Sequence, residues 1–487
     1  MREDFKHRSL MRERLLSNGV DPYPHVFRLT HTIEQILSTV ESSGLPEEPI
    51  ATAGRIYAIR PHGGTTFLDI KDDGNKIQCQ LRRDKLGLSP YNHFKEYVER
   101  GDIIGVSGPL FYTKRGELTL QTEKAAMLCK VLYDLPRTWF GLKDVETRYR
   151  QRHFDLLLNE EVRTLFITRS KIISTIRGYF DRNGFLEVET PVIQPSYGGA
   201  NAKAFRTHIN ALDENWYLQI SPELYLKRLV IGGYNKVYTI CKNFRNESID
   251  VRHNPEFSML EAYQAYADYT DMMKLIEDLI STTASKILES PKIDLNGTEI
   301  DLTPPWQVMT MYEALDRLAG LKIKQMDDTE IQSILHQADL EVPGGYNRGL
   351  AIAKVFEHYC EDHLTQPTFI TDYPKETVPL CKTHRSAPEL IERFELYIYR
   401  MEMANAYTEL NDPIIQEQLF KQEAERRDLG DEQAHPYDAD FVEALRYGMP
   451  PTGGLGIGID RLVMILTGEA SIKEVILFPM MKTGNRT

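Results

Sequence analysis

Arginines, carboxylates and glycines cluster in four stretches of this chain, and their spacing points to work on a phosphorylated substrate. In Cys241–Tyr263 (CKNFRNESIDVRHNPEFSMLEAY), Arg245, Glu247, Arg252, His253 and Glu256 fall within twelve positions of a polar loop flanked by two strand-like pieces. The planar fork of arginine donates paired hydrogen bonds to phosphate, although a charged loop of this kind also serves as a solvated turn. Between Thr452 and Leu466 (TGGLGIGIDRLVMIL), a strand carrying Gly453, Gly454, Gly456 and Gly458 runs into an apolar helix with Arg461 near its start. Glycines admit a ligand or another backbone at close range, and a tightly packed strand–turn–helix uses them equally.

In Arg393–Asp412 (RFELYIYRMEMANAYTELND), Glu395 and Glu402 are seven residues apart. On one continuous strand an odd spacing puts them on opposite faces, so only a turn or a bulge between them lets both reach one site. Together they would hold Mg²⁺, which takes carboxylates and substrate phosphates. Asn405, Tyr407 and Glu409 alternate along one strand face. That face is either a packed surface or the floor of a small-molecule site. The fourth stretch, Pro195–Arg228, contains SYGGANAKAFRTHIN and SPELYLKRL. In it Glu223 follows Pro222 and opens an amphipathic helix, where its carboxylate can face a ligand amine. Neither a G-x-x-x-x-G-K-[ST] loop nor a G-x-G-x-x-G turn after a strand is present. A nucleotide would therefore be held by arginines on a sheet surface.

Positioning such residues takes more than one domain. The chain has 487 residues, 41% hydrophobic and 26% charged, the composition of a globular protein and not of a disordered, collagenous or disulfide-built one. No apolar run is long enough for a membrane helix, and the first twenty residues alternate charges. The five cysteines form no C-x-x-C pair, which suits free thiols in a reducing cytoplasm. His358, Cys360 and His363 would not converge on a helix, so a zinc site is not expected there. The net charge of −13 is unevenly spread: residues 1–150 carry 23 Lys and Arg against 20 Asp and Glu, and the rest carry 35 against 51. A slightly basic front on an acidic body permits nucleic-acid contact at one end.

The pattern divides the chain into a helical segment at 1–49, a barrel at 50–133, a link at 134–158 and a large domain at 159–487. From Ile50 the apolar period is two. IATAGRIYAIR, TTFLDIKDD, KIQCQLRR, DIIGVSGPLFYT and ELTLQTEKAAMLCK read as five strands, with a helix over Pro90–Arg100 between the third and fourth. That order is the order of an OB-fold, whose face binds unpaired nucleic acid. In the large domain, Asn159 is expected to cap a long helix that Gly184 stops, and FLEVETP to follow as a strand. Irregular alternation of strands and helices beyond it predicts an α+β domain built on an antiparallel sheet.

In this order the segments resemble a class II aminoacyl-tRNA synthetase of the aspartate, asparagine and lysine subgroup, and over nearly the whole chain they are most similar to the lysyl enzymes. GFLEVETPVI matches the first class motif, FRNE (Phe244–Glu247) with RHNPEF (Arg252–Phe257) the second, and GIGIDR (Gly456–Arg461) the third. GGANAKAFRTH, SPELYLKRLVIGGYNKVY, EAYQAYADY and NAYTELNDP are similar to lysyl enzymes in particular. The resemblance implies the fold already expected: an OB-fold barrel for the anticodon, then an antiparallel-sheet catalytic domain. It implies a homodimer with Pro191 at the interface, and the partners ATP, L-lysine and tRNA(Lys), with Mg²⁺ as cofactor. It assigns ATP to Arg245, Glu247, His253, Asn254, Phe257, Glu395 and Arg461, with Arg245 and Arg461 catalytic, and the metal to Glu395 and Glu402. It assigns lysine to Gly199, Glu223, Arg245, Glu261, Tyr263, Asn405, Tyr407 and Glu409, and the anticodon to Arg55, Phe67, Gln78 and Glu123. Phe67 would otherwise be a barrel-core residue. The lysine assignment has its own chemistry, because a buried ammonium needs carboxylates, whereas an aspartyl or asparaginyl site, the alternative within the subgroup, needs a cation or an amide.

Overall fold

The computed structural model describes residues 3–135, 142–342, 344–428, 434 and 436–483, and the chain forms two compact units, Met1–Gly141 and Leu142–Thr487. Residues 136–141 of the link expected at 134–158 lie outside the described residues.

In the first unit, helices Glu3–Ser17 and Ile33–Ser43 precede seven strands: β1 (Ile50–His62), β2 (Thr65–Asp72), β3 (Asn75–Arg82), β4 (Ile103–Gly108), β5 (Leu110–Tyr112), β6 (Leu118–Thr122) and β7 (Lys124–Cys129). The helix expected after the third strand lies at Leu88–Tyr97. The fourth and fifth sequence segments are each one bent strand, broken at Pro109 and Glu123 into β4–β5 and β6–β7. The bends close the barrel. Segment one pairs with two and four, two with three, three in parallel with β6, and the last two segments pair through β4–β7 and β5–β6. Gly108 sits at one bend because a Cβ there would run into the Gln121 carbonyl. Ile56, Leu68, Ile70, Cys79, Leu81, Ile104 and Leu120 fill the interior, and alternate residues of β2 and β3 face outward.

The second unit is built on an eight-stranded sheet. Its strands are β8 (Leu186–Glu187), β12 (Lys236–Phe244), β13 (Glu256–Ala265), β16 (Gln307–Thr310), β17 (Thr368–Pro374), β18 (Leu390–Ile398), β19 (Met401–Thr408) and β20 (Thr452–Gly458). β9 (Ile193–Gln194), β10 (Arg206–Ile209) and β11 (Glu214–Leu218) make a small second sheet, and β14 (Lys292–Leu295) with β15 (Thr298–Asp301) a hairpin. The large sheet runs β16-β17-β18-β19-β20-β13-β12-β8, antiparallel except at its two edges. Helices Glu160–Arg182, Tyr269–Ile287 and Ile459–Thr467 bury one face through Ile172, Phe180, Ile276, Leu455 and Ile457. On the other face a helical layer (Met311–Ala319, Asp328–Gln337, Arg348–Cys360) packs against Ile370, Ile391 and Tyr397, leaving the middle of the sheet open.

Two expectations are corrected. Asn159 begins the long helix without capping it, because its amide exchanges hydrogen bonds with the Leu142 backbone and donates to Asp155. FLEVETP supplies only the two residues of β8, paired in parallel at the sheet edge, since Pro191 and the turn before it end the ladder. Residues read as a link also form helices, Val145–Arg150 and Arg152–Leu158, tied to the C-terminal segment through Arg148 and Tyr149 to Glu474. Among the described residues no helix is long and apolar enough to cross a membrane.

Candidate active site

The open middle of the large sheet is organised by register. Glu395, Asn405, Gly456 and Glu261 form one cross-strand row, and Arg393, Tyr407, Gly454 and Tyr263 the next. Glycine occupies the central strand in both rows. A Cβ on Gly454 would strike the Glu409 carboxylate and come within 2.6 Å of the Tyr263 ring, and one on Gly456 would come within 2.7 Å of Met259. The two glycines thus leave the floor free for side chains that reach in from either side.

Over this floor lies a cavity of about 150 Å³. All eight residues that the sequence assigns to the amino acid line it: Gly199, Glu223, Arg245, Glu261, Tyr263, Asn405, Tyr407 and Glu409. Gly199 has φ +85°, and a Cβ there would crowd Ser221 and Glu223, so only glycine lets that loop close over the helix start. Glu223, Glu261 and Glu409 are buried. Glu261 accepts hydrogen bonds from Ser221 (2.8 Å) and Tyr263 (3.2 Å), and burial together with the Glu223 charge pushes its pKa up to about 8. Glu409 is 1% exposed; burial raises its pKa although the Lys227 ammonium opposes the shift. Both of its oxygens are buried with no hydrogen-bond partner; Oε2 has the Lys227 ammonium 2.5 Å away, and Oε1 is left as an acceptor that a ligand donor in the cavity would satisfy. Arg245 also lines the cavity; its Nε is likewise buried and unpartnered, and its guanidinium is 5.1 Å from the Phe257 ring centroid. Burial pulls its pKa down. The cavity therefore offers both anionic and cationic groups to a ligand.

A second cavity of about 310 Å³ shares Asn201, Thr377 and Arg393 with the first and is lined by Glu357, Glu361, Glu395 and Glu402. Glu395 and Glu402 reach one face because both devices occur between them. Tyr399 and Arg400 (φ +51° and +63°) turn the β18–β19 hairpin, and a bulge moves the partner of Tyr397 from the regular position to Glu402. Glu395 accepts from Tyr373 (2.7 Å) and Tyr397 (2.6 Å) and pairs with Arg393. Desolvation and the Glu395 charge push the Glu402 pKa up, and desolvation and the same neighbour push that of Glu361 up to about 7. Such an excess of negative charge fits a divalent cation. Among the described residues no group of three or more His, Cys, Asp or Glu could hold a metal unaided, so substrate oxygens would complete the shell.

Arg461 connects the two motif loops. Its Nη1 donates to the Glu402 carbonyl (2.6 Å) and its Nη2 to His253 Nε2 (3.0 Å). Because arginine only donates, His253 Nε2 is the acceptor, and its proton sits on Nδ1, facing Asp250 at 2.8 Å. Asp460, paired with Arg169 and accepting from the Ser258 backbone, anchors the Arg461 helix to β13. Of the residues assigned to ATP, Arg245 and Glu395 line a cavity, and Glu247, His253, Asn254, Phe257 and Arg461 line neither. Glu247 is exposed and accepts from the Lys203 backbone, and Asn254 is buried, bridging Glu256 and Met480. Sequence reasoning missed Lys227, Arg393, Tyr373 and Tyr397. The last three have a signal in RFELY, where alternate residues flank Glu395, and in the aromatic strand beside it; Lys227 has one in its place a helical turn after Glu223.

On the barrel, Phe67 points outward beside the exposed His62, and the barrel-core alternative for it fails. Phe67 pairs with Gln80 and Asp69 with Gln78, so Phe67 and Gln78 are diagonal neighbours on one outer face; Gln78 accepts from Thr119 (3.0 Å). Arg60, which sequence reasoning passed over, pairs opposite Phe67 and holds Asp69 through two hydrogen bonds. Arg55 lies farther along the same face, donating to the Gly101 carbonyl, and Glu123 is exposed at the β6–β7 bend.

Comparison with known proteins agrees with this architecture. Residues 144–482 match the family model for class II tRNA synthetases (D, K and N), and residues 50–128 the one for the OB-fold nucleic acid binding domain. The chain is 52% identical to a lysine–tRNA ligase of Saccharolobus solfataricus, over 97% of this chain and 96% of that protein. It is 50% identical to those of Methanoculleus marisnigri (97% and 94%) and Carboxydothermus hydrogenoformans (95% and 95%).

Proposed function

We infer the reaction from the premise that this chain belongs to the class II tRNA synthetases for aspartate, lysine and asparagine. It is an aminoacyl-tRNA synthetase, and its activity is lysine–tRNA ligation. The observation that carries the choice of amino acid is the cavity itself: three buried carboxylates, Glu223, Glu261 and Glu409, and Arg245 line it together and suit an acid bearing two ammonium groups and one carboxylate.

In this reading Glu223 and the Gly199 loop take the α-ammonium, Asn405 and Arg245 the carboxylate, and Glu261, Tyr263, Tyr407 and Glu409 the ε-ammonium. The lysine carboxylate attacks the ATP α-phosphorus in line, the bond to the β-phosphate oxygen breaks, and lysyl-adenylate and pyrophosphate result. Arg245, short of partners, is poised to bridge the attacking carboxylate and the α-phosphate and to stabilise the charge that gathers there. Phe257 would stack on the adenine, and Arg461, steadied by His253, would face the nucleotide. Glu247 and Asn254 would shape the loop around it. Glu395 and Glu402 would hold Mg²⁺, which when bound neutralises the phosphate charge. The terminal ribose hydroxyl of the tRNA then attacks the adenylate carbonyl, and AMP departs. The barrel over residues 50–133 would read the anticodon with Phe67 as a stacking platform and Arg55, Gln78 and Glu123 as polar contacts. Exposed Leu186, Val192 and Ile193, close to Pro191 in sequence, support a homodimer formed through the first motif. A cytoplasmic setting agrees with the free cysteines.

ATP–pyrophosphate exchange measured with lysine, aspartate and asparagine in turn tests this function. Exchange with lysine alone is expected, and exchange with either of the other two in its place would overturn the reading.

A further inference from the structure

Lys227 belongs to none of the roles above, yet its ammonium is the most enclosed charge near the amino-acid cavity. It lies on helix Glu223–Ile231, one turn after Glu223, and is 0% exposed. Its Nζ is 2.6 Å from Glu223 Oε1 and 2.5 Å from Glu409 Oε2, and 5.9 Å from the Phe441 ring centroid. Phe441 belongs to an apolar cluster that also holds Leu224, Leu226 and Phe420. Lys227 does not line the cavity; it lies behind the two carboxylates that do. An unpaired charge in such a place would be costly, so the ammonium and the two carboxylates hold one another in position.

We propose that Lys227 is a resident counter-cation that positions Glu223 and Glu409 and sets the unmet charge of the pocket at two, tuning it to an amino acid with two ammonium groups. The proposal rests on the lysine reading. With a ligand bound and all three ionised, the carboxylates that line the cavity carry three charges; Lys227 answers one, and two remain for the ligand. Of the two cavity arginines, Arg393 is already paired with Glu395, which leaves Arg245 for a ligand carboxylate. Lysine, with two ammoniums and one carboxylate, balances the site, and an amino acid with a neutral side chain leaves one buried carboxylate unanswered. Glu409 shows the division locally: Oε2 is 2.5 Å from the Lys227 ammonium, whereas Oε1 is the oxygen that a Cβ on Gly454, on the cavity floor, would strike. The raised pKa of Lys227 agrees: burial pulls it down, and attraction to Glu223 and Glu409 more than reverses this.

The test is pyrophosphate exchange by the full chain carrying Lys227→Met, and by Lys227→Ala with and without added propylammonium. For Lys227→Met, the KM for lysine is expected to rise about 100-fold, since one partner of a buried pair is gone, with the KM for ATP little changed. In Lys227→Ala, propylammonium should lower the KM for lysine, and 1-propanol, of the same shape without the charge, should not. A parallel rise of both KM values, or equal effects of amine and alcohol, would mean that Lys227 only fills space and would overturn the proposal. If Lys227→Met does not fold, the amine-against-alcohol comparison in Lys227→Ala decides alone; should that variant also fail to fold unaided, folding restored by the amine and not the alcohol supports the charge role, and restoration by both or neither overturns it. Failure of the unsubstituted protein to exchange with lysine would instead defeat the lysine reading, so the two failures are distinguishable.

Discussion

The outer face of the barrel and the floor of the large sheet are both strand surfaces that present side chains in cross-strand rows, but they handle charge in opposite ways. On the barrel, Phe67, Gln78 and Arg60 stand part-exposed, with Arg60 holding Asp69 and Gln78 accepting from Thr119. On the sheet floor and the helix beside it, Glu261, Glu409, Glu223 and Lys227 are buried and share partners. Water answers the charges on the first surface, so a lost side chain costs little beyond its own contact. It cannot answer those on the second, where each charge depends on the next. Recognition of an unpaired base needs a platform that many chains can enter; recognition of an ammonium needs a dry pocket that rejects the wrong charge.

The largest expected effect that would break this contrast is in Glu409→Gln. It removes a buried carboxylate and leaves Lys227 with one partner fewer, so kcat/KM for lysine in pyrophosphate exchange should fall about 100-fold or more, with the KM for ATP nearly constant. Equal losses for both substrates would assign Glu409 to the fold and not to the ammonium. Next comes Gly454→Ala, whose methyl collides with Glu409 and Tyr263. Overpacking a floor this tight costs about 1–3 kcal/mol, and lysine activation is expected to fall at least about 10-fold while circular dichroism stays unchanged.

On the barrel, Phe67→Ala should raise the KM for tRNA in aminoacylation about 10-fold, the loss of one stacking platform, and leave pyrophosphate exchange as it was. Unchanged charging would remove Phe67 from the nucleic-acid face. The smallest effect separates the two surfaces by pH. Glu261 titrates at about 8 in the fold against an ordinary 4.5, so the folded chain keeps a proton that the unfolded chain has released. Raising the pH through that window therefore removes stability. Without ligand the Tm should drop by about 2–4 °C between pH 6 and pH 8.5, and less with saturating lysine. In Glu261→Gln the ligand-free drop should shrink, whereas Phe67→Ala should leave it intact.

Much of the site was legible along the chain because its chemistry is local. The alternation of Asn405, Tyr407 and Glu409, the arginine after β12 and the glycine run before Arg461 are patterns of neighbours, and the strand period that orders them depends only on backbone geometry. The seven-residue gap between Glu395 and Glu402 posed the right question without answering it. Only the hairpin and its bulge decide that both carboxylates share a face. Asn159 misled for a related reason: a helix-capping amide and an amide that clamps Leu142 have the same residue type, and the choice is made by a backbone seventeen residues away in sequence.

By itself, the sequence determined the order of barrel and antiparallel-sheet domain, the strand and helix periods, the class motifs and the residue types at the site, because all of these follow from short-range spacing and composition. The tertiary structure alone decided the charge ledger of the pocket. That Lys227 stands behind Glu223 and Glu409, that Arg393 belongs to Glu395 while the Arg245 Nε stays buried without a hydrogen-bond partner, and that Phe67 faces outward are consequences of which strands become neighbours and where water is excluded. Burial and pairing are sums over residues far apart in sequence, and no local pattern contains them.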